Sequence, residues 1–336
     1  MGFLLRIWLI IFAALWLSAC ASLPKGSLSL QEQLAHPLTL NLPLIETPSG
    51  VLLINAGLPD GSSGAFIIDT GATLSSIFPD VQDRLGLVPI EDKSIRVHGM
   101  ATTQIQPVTM LESLNLGGTD LPPLSVAIIP RAGQKLSKTK LLPKAIHDGI
   151  IGMDILSQYH LYIHRADKTL KLIPRVLGAP RPPQNWDVVQ LTQNPFLKDD
   201  RELHFFQLSI GSTRIPALLD TGSQFNMMNW NTRRFPGLRA VERRLRKNWE
   251  ISGAVGTFHP VTKIKSDSAL SGEKIWGRHD FLVLNFESLD VLGIDGKPFV
   301  IAGMPMIDET GVLVDFENDR LYFAPDGRRR DRLSPS

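Results

Sequence analysis

Two short runs decide the fold: Ala65-Phe66-Ile67-Ile68-Asp69-Thr70-Gly71 and Ile215-Pro216-Ala217-Leu218-Leu219-Asp220-Thr221-Gly222. Each is an apolar, strand-like stretch that ends in Asp-Thr-Gly. One such triplet turns up by chance in roughly one chain in ten of this length. Two copies at matching places are a different matter. Asp69 and Asp220 are 151 residues apart, and so are Ile151-Gly152-Met153 and Ala302-Gly303-Met304. Pro174 and Pro325 share the offset, and each closes a strand-like run, 169–173 and 320–324. A unit this long is a domain rather than a solenoid repeat. The chain therefore reads as a tandem duplication that offers two carboxylates to a twofold arrangement.

The bulk numbers allow this. The chain has 336 residues, 43% hydrophobic and 20% charged, enough for two cored lobes. Its 24 prolines and 27 glycines suit many short strands joined by turns. A net charge of +2 implies no bulk attraction to nucleic acid. The one dense basic stretch holds Arg233, Arg234, Arg239, Arg243, Arg244, Arg246 and Lys247. It reads as a solvated helix face in lobe two, or as a contact for anionic lipid or an acidic partner.

The N-terminus reads as a targeting segment. Arg6 precedes an apolar stretch, 7–17, too short to span a bilayer and typical of a signal peptide. It ends in Leu17-Ser18-Ala19-Cys20, which resembles the lipobox of bacterial lipoproteins. That resemblance implies cleavage before Cys20 and lipidation of its thiol. Ala21 and Ser22 follow with no Asp beside the Cys, which by the same resemblance implies the outer membrane, facing the periplasm. The alternative is an uncleaved signal anchor with an incidental cysteine. Cys20 is the chain's only cysteine, so no disulfide can form within the chain.

The remaining organisation is expected as follows: signal peptide 1–20, an irregular tether 21–43, lobe one 44–174, a proline-bearing linker 175–187, lobe two 188–325 and a polar, disordered tail 326–336. In lobe one, 51–55 and 65–69 read as a strand pair, 78–87 as a short helix, 95–103 as a hairpin with Gly99 near its tip and 121–129 as a strand. The Lys-rich segment 131–144 reads as an exposed loop, 153–158 as a short helix and 161–173 as a closing hairpin. Lobe two repeats the programme, with hairpins over 204–220, 250–257 (near Gly253) and 312–323, and a strand over 280–286. A helical period shows only around 238–249. The fold class is all-β, with two homologous barrel-like lobes about a pseudo-twofold axis and the site between them.

The chemistry follows from the pair. A glycine after each strand permits a tight loop that presents its Asp. Two carboxylates about 3 Å apart repel by ~5 kcal/mol at an effective dielectric near 20, about four pKa units. Such a pair holds one shared proton, so one carboxyl is a base and the other an acid. Water between them can be deprotonated and aimed at a peptide carbonyl while the protonated Asp stabilises the oxyanion. No metal or cofactor is needed.

On these motifs the chain resembles a pepsin-type aspartic protease, with each lobe closer to a retropepsin subunit. That family follows its Asp-Thr-Gly loop with a hydrophobic-hydrophobic-Gly element packed beneath it. Here Ile150-Ile151-Gly152 and Ile301-Ala302-Gly303 match. The resemblance implies Asp69 and Asp220 as the catalytic dyad, and Thr70 and Thr221 bonded across the lobe junction. It implies Gly71 and Gly222 shaping the loops, and flaps around Gly99 and Gly253. No flap carries the tyrosine usual in pepsins, as fits a retropepsin-like arrangement. The triplets are followed by Ala72 and Ser223. A Ser223 hydroxyl bonded to its carboxylate lowers the pKa, so Asp220 is expected to be the readily ionised partner and Asp69 to carry the proton. Activity is expected to extend toward neutral pH.

The substrate class is an extended peptide or protein, and one chain suffices to build the dyad. The competing reading is a catalytically silent peptide-binding lipoprotein that keeps the fold. No Gly-rich phosphate loop, His-Glu-x-x-His run or Gly-x-Ser-x-Gly elbow is present.

Overall fold

A computed structural model describes residues 28–47, 50–99, 103–131, 147–197, 202–229, 232, 238–244, 251–252, 257–258, 260, 262–266, 269–284, 286, 292–294, 297–307 and 310–325. The fold is all-β, two curled sheet systems of the kind found in aspartic protease lobes. The α-helices among the described residues are Leu30–Leu34, Pro79–Leu85 and Met153–Leu156. None is long and apolar enough to cross a membrane.

The duplication is visible strand by strand. In lobe one, Gly149–Ile151 runs parallel to Ser63–Ile68 and antiparallel to Ser76–Ile77, which is itself parallel to Leu124–Ile128. In lobe two, Val300–Ala302 lies the same way between Thr213–Leu219 and Met227–Asn229, and the latter is parallel to Asp280–Leu284. Both central strands are buried at every residue, so their sequences are unbroken apolar or small runs rather than alternating ones. Each triplet strand is also the second arm of a hairpin, with Leu52–Gly57 in lobe one and Phe205–Ile210 in lobe two. The second hairpin turns tightly because Gly211 adopts φ 59°.

The closing hairpins do not close their own lobes. Tyr159–His164 pairs antiparallel with Val312–Asp315, in the register Leu161↔Val314, Tyr162↔Leu313 and Ile163↔Val312. Leu40–Pro43 joins one edge through Thr169–Pro174, and Asp187–Thr192 joins the other through Arg320–Phe323. The result is one sheet shared by both lobes, so a boundary at 174 cuts through a continuous structure. The cause is a hairpin apolar on both faces. Leu161, Ile163, Leu170, Leu172, Val312 and Val314 face the main core. Ile173, Leu313 and Tyr322 face the other way, against Leu30 and Leu177. Neither hairpin could cover both faces alone.

This also corrects the tether. Residues 28–43 are part of the fold, because Leu30–Leu34 is the cover for that second face. Ser29 caps the helix, and Glu32 reaches back to the Ser29 amide. Leu30 is buried, and fully buried Gln33 donates through Nε2 to the Leu177 and Gly178 carbonyls at 3.1 and 3.0 Å.

A second correction concerns the Arg-rich stretch. Leu238–Arg244 is a strand, not a helix. It lies at the edge of its sheet, paired only with Thr262–Ser266 among the described residues, and bulges between Arg239 and Arg243. Charge spaced for a solvated helix face suits a strand at a sheet edge equally well, where like charges discourage further pairing. Cys20, Gly253, positions 132–144 and the tail 326–336 lie outside the described residues.

Candidate active site

The two triplets meet at the junction of the lobes. Each Asp sits where its strand ends, held by the matching central strand. The Asp69 amide donates to the Ile151 carbonyl and the Asp220 amide to the Ala302 carbonyl, both at 3.0 Å. Thr70 and Thr221, both without solvent exposure, bond crosswise. The Thr70 hydroxyl donates to the Leu219 carbonyl at 2.8 Å, and the Thr221 hydroxyl to the Ile68 carbonyl at 2.7 Å. Each hydroxyl also accepts from the other threonine's amide at 3.1 Å. Four buried hydrogen bonds thus fix one loop against the other.

The glycines explain why a side chain is absent at their positions. A Cβ on Gly71 would sit 2.7 Å from Asp220 Cγ, and one on Gly222 would sit 2.4 Å from Asp69 Cγ. Each loop's glycine is therefore the wall against which the opposite carboxyl rests. Gly152 and Gly303 serve a different purpose. Their Cβ positions would clash with the loop backbones, at 2.8 Å from the Ala72 carbonyl oxygen and 2.3 Å from that of Phe225. Neither has a left-handed φ, so space rather than conformation selects glycine there. The following amides, Met153 and Met304, donate to the carbonyls of Ala72 and Ser223, both at 2.8 Å.

Sequence reasoning missed a support layer. The Gly152 amide donates to Ser75 Oγ and the Gly303 amide to Asn226 Oδ1, both at 3.0 Å. Ser75 in turn donates to Asp154 Oδ1 at 2.7 Å. Ser75 and Asn226 are again 151 residues apart. The repeat arithmetic, extended past the triplets, would have found them.

Electrostatics raise the proton affinity of both carboxyls. Both carboxyls are half-buried and in mutual hydrogen-bond contact. Burial raises Asp69 above the ordinary carboxylate value, opposed by the amides of Gly71, Ala72 and Gly222. Burial also raises Asp220, and the neighbouring charge of Asp69 lifts it further, well above that value. The Gly71 amide bonds Asp69 Oδ1 at 2.8 Å, and the Ser223 amide bonds Asp220 Oδ1 at 2.9 Å. The expected role of the Ser223 hydroxyl is not seen. It donates to the Phe225 carbonyl at 2.8 Å and stabilises the loop instead. Both carboxyls are thus raised as one pair, and the Ser223 hydroxyl does not lower Asp220 as the sequence expectation had it.

A hairpin lies on the side of the first triplet. Ser94–His98 and Thr103–Leu111 form the first hairpin, with Gly99 directly after the first arm. His98 Nδ1 and Thr103 Oγ1, 2.9 Å apart, meet at its turn end. Ile95 and Val97 pack in a cluster with Ala72 and Leu74 of the first loop, which places this hairpin on the triplet side. Phe225, the counterpart of Leu74, packs in the equivalent cluster of lobe two. Ile251–Ser252 and Thr257–Phe258 pair as the second hairpin, and Gly253 falls outside the described residues. A cavity of about 280 Å³ spans the lobes beneath the second loop, lined by Glu46, Thr47, Gly50, Arg165, Gln224, Met304 and Pro305. Neither aspartate lines it. No cluster of metal-ligating side chains occurs among the described residues.

Comparison with known proteins agrees with the geometry. The family model described as aspartyl protease matches residues 56–155, a span that holds Asp69-Thr70-Gly71, the hairpin of Ser94–His98 with Thr103–Leu111, and Ile150-Ile151-Gly152. No curated protein matches the chain. The family match supports a protease-like function, carried by a domain that holds the first triplet.

Proposed function

We propose that this chain is an aspartic endopeptidase of a bacterial cell envelope, held there by lipid on Cys20 and using Asp69 and Asp220 as one catalytic unit. The observation that carries the reading is the crosswise packing of two half-buried, hydrogen-bonded carboxyls, each resting against the other loop's glycine.

Asp69 faces more amides, which favour its ionised form, and serves as the base; Asp220 serves as the acid. Asp69 takes a proton from a water molecule as its oxygen attacks the peptide carbonyl. Asp220 gives its proton to the carbonyl oxygen, producing a neutral geminal diol. Collapse of the diol breaks the C–N bond, with the Asp69 proton going to the leaving nitrogen and a diol proton returning to Asp220. Atoms and charge balance with no covalent enzyme intermediate. The substrate is an extended peptide, paired strand-like with the flaps.

The test is cleavage of an unbiased peptide library from pH 3 to 8 by the form lacking residues 1–20, beside Asp69→Asn and Asp220→Asn. Loss of cleavage in each variant supports the shared dyad. Retained cleavage in either variant rejects it. Peptide binding without cleavage by the unmodified form, unchanged in both variants, would assign the fold to a silent binder.

A further inference from the structure

We propose that the face of the shared sheet covered by the Leu30–Leu34 helix seats on a lipid bilayer, with the cleft turned away from the membrane. This rests on the lipid anchor at Cys20 proposed above.

Chain length carries the argument. Cys20 and Leu28, the first described residue, are eight positions apart. Fully extended, that leash reaches at most ~28 Å. A folded body of this size is about 50 Å across. A chain leaving one side would need about 80 Å to round it and bring the opposite side to the anchor, a distance estimated from the same dimensions. The leash cannot lengthen cheaply by peeling. Leu30 is 2% exposed, and its amide donates to the Arg181 carbonyl. Gln33 is fully buried with two hydrogen bonds, and Lys171 Nζ holds the Leu34 carbonyl at 2.9 Å.

The surface around the exit fits a lipid headgroup region. Leu38, just past the helix, is 52% exposed, and Val176, in the turn that Gln33 grips, is 63% exposed. Half-buried Trp186 lies against Tyr162 with ring centroids 6.4 Å apart, a ring type suited to the boundary between acyl chain and water. Exposed Arg181 adds a cation for anionic headgroups. The triplets lie on the other side of the sheet. Ile68, Met153 and Met304 share the main core with the inward residues Leu161, Ile163 and Val314. The helix instead packs on Ile173, Leu313 and Tyr322. Peptides would therefore reach the cleft from the aqueous side, and the segment of a membrane protein next to the bilayer would be out of reach.

The test uses the full lipidated chain in vesicles of phosphatidylethanolamine and phosphatidylglycerol. Cys20 is the only native cysteine, so one introduced thiol can be labelled selectively. A polarity-sensitive fluorophore goes on Leu38→Cys or Val176→Cys, and on Val88→Cys or Ile105→Cys, which are 77% and 68% exposed in the native chain and lie toward the flap. Lipids with nitroxide headgroups should quench the first two strongly and shift them to the blue. The other two should match the form lacking residues 1–20. Equal quenching at all four sites, or none at 38 and 176 in a chain that floats with the vesicles, overturns the seat. Failure to float overturns anchor and seat together, while the cleavage test on the soluble form still decides the enzyme.

Discussion

Replacing Thr70 with Val tests whether the crossed hydroxyls hold the dyad together. Valine nearly matches threonine in shape, so packing is kept and the hydroxyl alone is lost. Two groups then lose their partners: the Leu219 carbonyl, which accepts from Thr70 Oγ1, and the Thr221 amide, which donates to it. Both threonines have zero exposure, so water cannot substitute. An unsatisfied buried polar group costs about 1–3 kcal/mol. Thr70→Val should therefore lower unfolding stability by about 2–6 kcal/mol. Thr70→Ser keeps both bonds and loses a methyl, about 1 kcal/mol. Thr221→Val orphans a different set, the Ile68 carbonyl and the Thr70 amide. The two threonines share one network, so the double variant should depart from the sum of the single losses, and the departure measures their coupling. Urea unfolding of the form lacking residues 1–20 reads the stability, and peptide cleavage reads the dyad. If Thr70→Val unfolds within about 0.5 kcal/mol of Thr70→Ser, the crossed bonds are not what joins the loops.

Three further outcomes are expected. Gly222→Ala puts a carbon where Asp69 Cγ is only 2.4 Å away, so cleavage should fall at least ~100-fold as the carboxyl is displaced; wild-type cleavage in a folded variant would disprove the packing. Ser223→Ala should leave the pH–rate profile in place, because the hydroxyl serves the Phe225 carbonyl and the amide serves Asp220; a displaced acid limb would restore a role for the hydroxyl in the dyad. Burial, helped by Arg131, holds His147 down at about 4, below its ordinary 6.5. The unfolded chain therefore takes up the proton first as pH falls, and stability should drop between pH 6.5 and about 4; thermal melts of His147→Gln should show a smaller drop over that window, and an equal one would clear His147.

The pH window of the dyad follows from the same sign. Both carboxyls are raised. The singly protonated pair therefore forms only above the ordinary carboxylate value on the acid side and persists toward neutrality on the alkaline side. The two limbs belong to the pair rather than to either residue. The proposed near-neutral activity would then rest on burial and mutual repulsion, where the sequence had suggested a hydroxyl.

What was legible in the sequence was local. The triplets, the strand pairs 52–57 with 63–68 and 205–210 with 213–219, and the turn at Gly211 follow from apolar runs and turn residues. The offset of 151 also located the central strands, because both lobes use one topology. What was not legible depended on distant partners. Leu161 meets Val314 across 153 residues, and nothing near either says that two closing hairpins will share a sheet. Gln33 looks like a tether residue until Leu177 and Gly178 supply its carbonyls. The rotation of the Ser223 hydroxyl was a choice between two acceptors a few ångströms apart, which sequence does not rank.

Fusion of two lobes in one chain has a consequence that a symmetric pair of identical chains cannot reach. Every position near the dyad exists twice and can diverge. Ala72 faces Ser223, Leu74 faces Phe225 and Ser75 faces Asn226 at the same offset. The scaffold bonds are kept on both sides despite this, since Ser75 and Asn226 accept from equivalent amides by different chemistry. Divergence is therefore tolerated where geometry is preserved, and it falls on the donors and walls around the two carboxyls. That is where a difference in proton affinity has to be written if one aspartate is to be the base and its twin the acid. The shared sheet and the crossed threonines tie both lobes to one cooperative structure, so a difference between the two carboxyls would be fixed by the chain and would not have to wait for substrate to break a symmetry.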